Sequence, residues 1–433
     1  MIKVGLISLG CEKNLVDSEV ILGLFSRLDF EITDDLDQAN LIVINTCGFI
    51  DSAKEEAIDV IYDAIKYKEH GAKIVVTGCL VERYLDELSE GIPEVDLWVP
   101  LRYYNKFGEL LGELLGHKEY CNVKLINKNR VISTPKHLAY VKCSDGCNNR
   151  CTYCAIPLIR GNFHSEPMDD ILEQIKYLVK SGRKEICLIS QDLTRYGSDI
   201  GYSLEELLLD IMKIEGDFKI RMLYLYPDEI SDELIYIVRD NERIMPYFDI
   251  PIQHASNKLL KWMNRRGTKE LIKELVSKIR KEIPNSIIRT TIIVGFPHET
   301  DKDFKELIDF IMDVKFDHLG AFKYSKEEGT KGYSMNNQVP KKIKEARYNE
   351  LMEVQKYISL NLNSEHIGIV SPCIIESFDE DENIYYGRNY MYAPDDIDGC
   401  IIITSNRKLE IGEIVNVKIV EADFYDLYGE VIA

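Results

Sequence analysis

Basic residues are in short supply in this chain: 53 lysines and arginines face 73 aspartates and glutamates over 433 residues, a formal net charge of −20. So acidic a chain is poorly suited to non-specific grip on phosphate backbones, and its field favours basic partners. Long apolar runs are missing too. None approaches the ~20 residues that cross a bilayer, and no basic stretch with a signal-like apolar core opens the chain. No membrane association is expected, and the expected location is the cytoplasm. Eleven cysteines, an odd count without a signal segment, speak for reduced thiols and metal ligation over disulfides. The length points to two or three domains, each with apolar surface to bury.

A fourth cysteine is missing from the most informative stretch, Cys147-Asn148-Asn149-Arg150-Cys151-Thr152-Tyr153-Cys154. Three close thiolates are too few to close a tetrahedral zinc site. They suit a four-iron four-sulfur cluster that keeps one iron without a protein ligand, because such clusters ordinarily take four cysteines. Cys143, four residues earlier, lies inside an apolar run at 138–143 and is read as buried packing.

Before this stretch the chain alternates strand-like runs (3–9, 41–45, 73–77) with helical ones (14–28, 53–68), the rhythm of a parallel sheet with right-handed crossovers. Each strand runs into a cysteine: Cys11, Cys47 and Cys79, each beside a glycine. Parallel strands present their carboxyl ends on one edge, so these cysteines are expected to converge where α/β proteins hold ligands. From 100 to 136 the periodicity weakens. Gly108, Gly112 and Gly116 are expected to break a helix-like run there and open a linker.

Six further strand-like runs follow at 138–144, 185–191, 220–226, 247–253, 287–294 and 318–324, the first five each followed by a helical pattern. This is the pattern of an open, partial barrel of TIM type. Its carboxyl-end residues are the cysteine loop, Gln191, Tyr226, Gln253, His254, Gly295 and Tyr324. Gln191 and Gln253 read equally as caps of neighbouring helices, and His254 as either a structural histidine or a substrate contact. A charged helix from 342 to about 363 reads as a connector with a solvated face. Short alternating strands from 369 to Ala433 then indicate a small β-barrel. From Val370 on, 14 acidic residues meet four basic ones.

The cysteine octet resembles the signature of the radical S-adenosylmethionine (SAM) superfamily, C-x₃-C-x-aromatic-C with Tyr153 as the aromatic. The first hundred residues resemble the N-terminal domain of its methylthiotransferase family through Ser8-Leu-Gly-Cys-Glu-Lys-Asn-Leu-Val-Asp-Ser-Glu19, Asn45-Thr-Cys-Gly-Phe49 and Thr77-Gly-Cys-Leu80. The resemblance covers the whole chain. It is strongest to the branch acting on a ribosomal protein, through Ile189-Ser-Gln-Asp-Leu-Thr-Arg-Tyr-Gly197, Leu223-Tyr-Leu-Tyr-Pro227 and Pro251-Ile-Gln-His254. It departs at His164-Ser-Glu-Pro167, where basic residues are commoner, and at His298, where glycine is usual.

The resemblance implies three domains: an N-terminal parallel α/β domain at 1–125, a partial (βα)6 radical SAM barrel at 137–345, and a C-terminal β-barrel of TRAM type at 366–433. It implies two [4Fe-4S] clusters, one on Cys147, Cys151 and Cys154 and one on Cys11, Cys47 and Cys79. SAM would contact Tyr153, Gln191 and Gly295. The implied reaction is methylthiolation of an aspartate β-carbon in small-subunit ribosomal protein twelve, free or within the subunit, with an external electron donor. The tRNA-modifying branch carries the same clusters, but the acidic C-terminal barrel argues against nucleic acid as the direct substrate. A non-catalytic iron–sulfur carrier would be expected to ligate every iron, and it leaves the barrel unexplained. The expected seat of the C-terminal barrel is over the active site, where its acids would meet a basic protein.

Overall fold

The alternation in the first hundred residues builds the parallel sheet it implies. The computed structural model describes residues 2–28, 30–395 and 397–432; the outermost expected domain ends, Met1 and Ala433, lie outside the described residues. Strands β1 (Lys3–Ser8), β2 (Glu31–Ile32), β3 (Leu41–Thr46), β4 (Lys73–Gly78) and β5 (Leu97–Pro100) form a sheet in the order β2-β1-β3-β4-β5, all parallel. Alternate residues serve opposite faces. Ile42, Ile44, Ile74 and Val76 pack on the helix Asp51–Ile65, while Leu41, Val43 and Val75 pack on Ile21, Leu24 and Phe25 of the helix Glu12–Arg27.

The glycines after residue 100 do something other than break a helix. Gly108 and Gly112 lie inside the helix Phe107–Leu115, and only Gly116, at φ 75°, ends it. A Cβ on Gly108 would stand 2.1 Å from the Val123 carbonyl oxygen, and one on Gly112 would stand 2.7 Å from that of His117. The missing side chains let the returning segment pack directly on the helix.

The strands of the second sheet are β6 (Leu138–Lys142), β9 (Glu185–Ile189), β10 (Lys219–Met222), β11 (Ile244–Asp249), β12 (Ile287–Val294) and β13 (His318–Lys323). The two-residue pair β7 (Ser144–Asp145) and β8 (His164–Ser165) brackets the cysteine loop. The six pair in parallel in chain order, an open barrel. Outward-facing Ala139, Val141, Ile186, Leu188, Ile220 and Phe248 form one core with the surrounding helices. β9, β10 and β11 end two to four residues earlier than the apolar runs suggest. Tyr224 (φ 65°) and Gln253 (φ 71°) leave the extended region just beyond the last two.

The C-terminal strands β14 (Val370–Asp379), β15 (Ile384–Arg388), β16 (Ile401–Thr404), β17 (Ile414–Ala422) and β18 (Leu427–Val431) close a barrel in the order β14-β15-β16-β18-β17. It does not lie over the cysteine loops. The loop joining β15 to β16 instead enters the concave face of the open barrel from the amino-terminal side of its strands. There Tyr392 and Met391 pack with Leu138, Tyr140, Leu223, Tyr247 and Ile287. His318 Nε2 meets the Met391 carbonyl at 2.8 Å, and the Tyr247 hydroxyl donates to Asp398 at 2.5 Å. The reason is the inner wall itself, which is apolar and aromatic and carries Glu185 and Arg221. Left open, it would expose a large hydrophobic patch and strand two charges.

The helix Lys341–Ser364 is likewise more than a solvated connector. Arg347 is buried and pairs with Glu299 and Asp301, and Lys344 donates to the Tyr324 carbonyl at 2.6 Å.

Candidate functional site

Tight turns at the carboxyl edge of the first sheet gather Cys11, Cys47 and Cys79. Gly10 holds φ 89°, and a Cβ there would stand 2.7 Å from Cys47 Cβ and 2.9 Å from its Sγ. Gly78 holds φ 100°, and a Cβ there would meet Asn45 Oδ1 and the Thr46 carbonyl at 2.4 Å. Neither turn tolerates a side chain. Asn14, at the start of the next helix, donates to the carbonyls of Leu9 (2.6 Å), Asn45 (3.2 Å) and Thr46 (3.3 Å), tying two cysteine loops to one amide. Burial pushes the Cys79 thiol up to about 12; Arg160 works against this, and Cys11 and Cys47 add to it. Burial likewise raises the Cys47 thiol, and Cys11 adds to it.

The second set lies in the loop after β7. The backbone of Thr152 bonds the carbonyl of Met263 (3.0 Å) and accepts from Gly332 (2.7 Å), and Asn149 donates to Asp192 at 2.6 Å, so the loop is anchored on three sides. Burial raises the thiols of Cys147 and Cys154, and Cys151 raises Cys154 further. Cys143 is fully buried in the helix-facing core. Tyr153 packs with Leu259, Met263, Phe296 and Tyr324, all from carboxyl ends of the barrel or their loops. Arg265 lies 3.9 Å over the Tyr226 ring and donates to the Pro251 carbonyl.

The strand-end residues divide. Gln191 donates to Asp145 Oδ1 at 2.9 Å and leaves its own Oε1 buried without a hydrogen-bond partner. Gly295, at φ 73°, donates its amide to Glu299 at 2.5 Å, and a Cβ there would run into the Lys344 side chain at 2.3 Å. His254 is fully buried: its Nδ1 accepts from the Ser256 amide at 2.9 Å, its Nε2 has no hydrogen-bond partner among the described residues, and burial takes its pKa down to about 3. His298 has φ 71°, which explains why glycine suits that place, and its ring stacks on Trp262 at 4.4 Å.

Arg160 ties the segment that follows the second set to the first. Standing just beyond the short helix Ile156–Ile159, it donates to Asp17 (2.6 Å) and Asp145 (3.0 Å) from one nitrogen and to Asn14 (3.3 Å) and the Cys79 sulfur (3.6 Å) from the other. Ala155 and Ile159 pack on Cys79. The carboxyl edges of the two sheets thus face each other. Sequence reasoning missed Arg160, Asn14 and Asp17. The available signal was the run of polar residues Asn14, Asp17, Ser18 and Glu19 in a helix otherwise built to face a core; all four are buried.

Among the described residues, no group of three or more His, Cys, Asp or Glu side chains can hold a single metal ion. Two sets of three thiols, converging yet not closed on one ion, suit a body in which inorganic sulfide bridges several irons. With Cys79 buried, Cys11 exposed and the other four half-buried, and with Arg160 at the first set and Arg265 near the second, both donor sets fit such a group.

An open parallel barrel with a three-cysteine loop after its first strand, joined to an α/β domain with three strand-end cysteines, defines an iron–sulfur enzyme of radical SAM type. Family models agree. The radical SAM superfamily matches residues 141–311, the uncharacterized protein family UPF0004 residues 3–100, and the TRAM domain residues 367–432. Among relatives, the ribosomal protein uS12 methylthiotransferase RimO of Acetivibrio thermocellus is 46% identical over 99% of this chain and 98% of its own length. That of Carboxydothermus hydrogenoformans is 46% identical over 99% of both. The chain belongs to the RimO family. Among solved structures, the radical SAM methyltransferase TsrM from Kitasatospora setae, with cobalamin and a [4Fe-4S] cluster bound, shares the fold. Its TM-score is 0.57 at 12% identity, over 86% of this chain and 81% of that one.

Proposed function

We propose that this chain is a methylthiotransferase that inserts sulfur and a methyl group at the β-carbon of an aspartate in ribosomal protein uS12. The observation that carries the reading is that Ala155 and Ile159, directly after Cys154, pack on Cys79, whose sulfur Arg160 of the same segment also meets. Identity of 46% to RimO relatives over nearly the whole chain supports it. Cys147, Cys151 and Cys154 hold one four-iron four-sulfur cluster with an iron left for SAM, and Cys11, Cys47 and Cys79 hold the other. The bound groups supply the bond-breaking, with SAM as both radical source and methyl donor, because an unactivated C–H bond offers no acidic proton to a general base.

The chain's own residues bind, orient and exclude water. Arg160 donates to the Cys79 sulfur and works against the burial that raises its thiol, and Arg265 lies over the Tyr226 ring. Tyr153 and Gly295 are the residues offered to SAM: Tyr153 forms an apolar wall with Phe296, and Gly295, whose missing side chain makes room for Lys344, turns the chain at the end of β12. Gln191 offers a buried amide oxygen without a hydrogen-bond partner. The working units are 1–125, 137–345 and 366–433. The cluster held by Cys147, Cys151 and Cys154 would need an external electron donor. No helix among the described residues is long and apolar enough to cross a membrane, and the reading puts the enzyme with ribosomes in the cytoplasm. Nucleic acid is not the direct substrate, since the C-terminal barrel is acidic.

The test is mass spectrometry of ribosomal proteins and tRNA from cells with and without the chain. A methylthio aspartate in uS12 that disappears with the gene is expected. Loss of a tRNA methylthio mark, with uS12 unchanged, overturns the substrate.

A further inference from the structure

Lys13 is a buried cation without an acidic partner. It is 6% exposed, two residues beyond Cys11, and its ammonium lies 3.3 Å from the centroid of the Tyr224 ring and 3.5 Å from the Ser190 carbonyl oxygen. No carboxylate among the described residues forms an ion pair with it, and the acids of the two carboxyl edges have other partners. Asp17 and Asp145 each pair with Lys142 and Arg160, Asp249 pairs with Arg289, and Glu12 accepts the Tyr224 hydroxyl at 2.8 Å. Tyr224 is itself held in the left-handed region at φ 65°, a costly conformation that sets its ring under the ammonium. An ammonium kept out of water with only an aromatic face and a carbonyl is incomplete, and the partner that completes it is an anion.

We propose that Lys13 binds the side-chain carboxylate of the aspartate that is modified, and so makes the enzyme specific for aspartate. The assignment rests on the function proposed above. Ser190 and Tyr224 lie just beyond β9 and β10, so the ammonium stands between the carboxyl edges that carry the two cysteine sets. A β-carbon reached from the barrel side and supplied with sulfur from the other side must lie in that gap. Its carboxylate is one bond away and cannot remain in water. Lys142, Arg160 and Arg289 are neutralised by their own aspartates, and Arg265, also buried without an ion pair among the described residues, lies over the Tyr226 ring; Lys13 is the unpaired cation beside Cys11 that is offered to the carboxylate.

The test uses the full-length, cluster-loaded enzyme with SAM. Its affinity is measured for a synthetic peptide carrying the modified aspartate of uS12 in its native flanks, and for the same peptide with asparagine there. The wild-type enzyme is expected to bind the aspartate peptide at least tenfold more tightly. Lys13→Gln, compared at equal iron content, should bind both alike, and Lys13→Arg should recover part of the preference. Equal binding of the two peptides by wild type overturns the assignment without any variant, which covers the case that Lys13→Gln fails to assemble. Full preference retained in Lys13→Gln overturns it as well. Weakened SAM binding with the preference intact would give the ammonium to the methionine carboxylate of SAM, and that also overturns it. If wild type neither binds nor modifies the aspartate peptide, the function itself falls, an outcome distinct from lost discrimination.

Discussion

Arg388→Met tests whether the C-terminal barrel is part of the core of the open barrel. Glu185, at the amino end of β9, is buried between Arg221 (2.6 Å) and Arg388 (2.6 Å), with side-chain exposures of 2%, 0% and 2%. Burial by itself would raise the Glu185 pKa, but Arg388 and then Arg221 overcome it and hold the carboxyl down at about 2, against 4.5 ordinarily. A shift of that size is worth about 3 kcal/mol. Because the folded pKa is depressed, this stability is fully present above pH 4.5 and is lost as the pH falls through 2. Removing one partner of a buried pair costs about 3–5 kcal/mol, since a charge is left behind. The two routes agree, so Arg388→Met should lose about 3 kcal/mol in urea unfolding at pH 7.5. Hydrogen exchange should rise together in the β15–β16 loop and in β9 and β10. The triple variant Glu185→Leu, Arg221→Met, Arg388→Met should recover most of the loss, because apolar replacements of a buried ionic cluster are often neutral. A loss below about 1 kcal/mol in Arg388→Met, the size of an exposed pair, would refute the reasoning.

Iron analysis of the reconstituted protein should give about eight irons per chain, about half remaining when either proposed cysteine set is replaced by alanine; saturation at four would sink the two-cluster reading. The variant lacking Cys11, Cys47 and Cys79 should still release 5′-deoxyadenosine under reducing conditions while forming no methylthio product, whereas the variant lacking Cys147, Cys151 and Cys154 should release none. Gly10→Ala, which adds a Cβ 2.7 Å from Cys47 Cβ at a φ of 89°, should lower iron at the first set and spare the second, as read from iron content in each triple-cysteine background. The buried Glu299 carboxyl, raised to about 7 chiefly by burial and pulled back by Arg347, contributes stability that is complete below pH 4.5 and lost as the pH rises through 7. Wild type should therefore lose about 1 kcal/mol between pH 6 and pH 8 that Glu299→Gln does not.

Periodicity made the layers legible, and geometry at chain reversals hid the rest. Buried parallel strands read as unbroken apolar runs, which is why β3, β4 and all six strands of the open barrel were visible. β2, two residues long, and β5, four residues long, offered too little pattern. The ends of β10 and β11 were overrun because Leu223, Leu225, Ile250 and Ile252 stay apolar and buried after the backbone has turned. Gly108 and Gly112 were read by their low helix propensity, a small effect that close packing of another segment overrides. The cysteines were legible by spacing and strand-end recurrence. Arg160 and Lys13 were not, since a lone cation carries no period and its meaning lies in the acids around it.

The same limit applies to the acids of the C-terminal barrel, whose excess was read as a surface for a basic partner. Glu376 accepts from Arg388, Asp395 accepts the Tyr140 hydroxyl, and Asp398 is shared by Tyr247 and Arg289. These acids serve contacts within the chain, and Asp398 reaches through Arg289 to Asp249, which in turn accepts the Tyr224 amide at 2.9 Å. Tyr224 is the ring beneath Lys13. A route of fixed hydrogen bonds therefore runs from the C-terminal barrel, along the inner wall, to the gap between the two cysteine sets. Buried ion pairs add little net stability against well-packed apolar groups, but they are costly to misalign. Here they fix the register of three separately folded layers around one small gap, while the exposed acids Glu380, Asp381 and Glu382 remain free to steer a basic protein toward the enzyme.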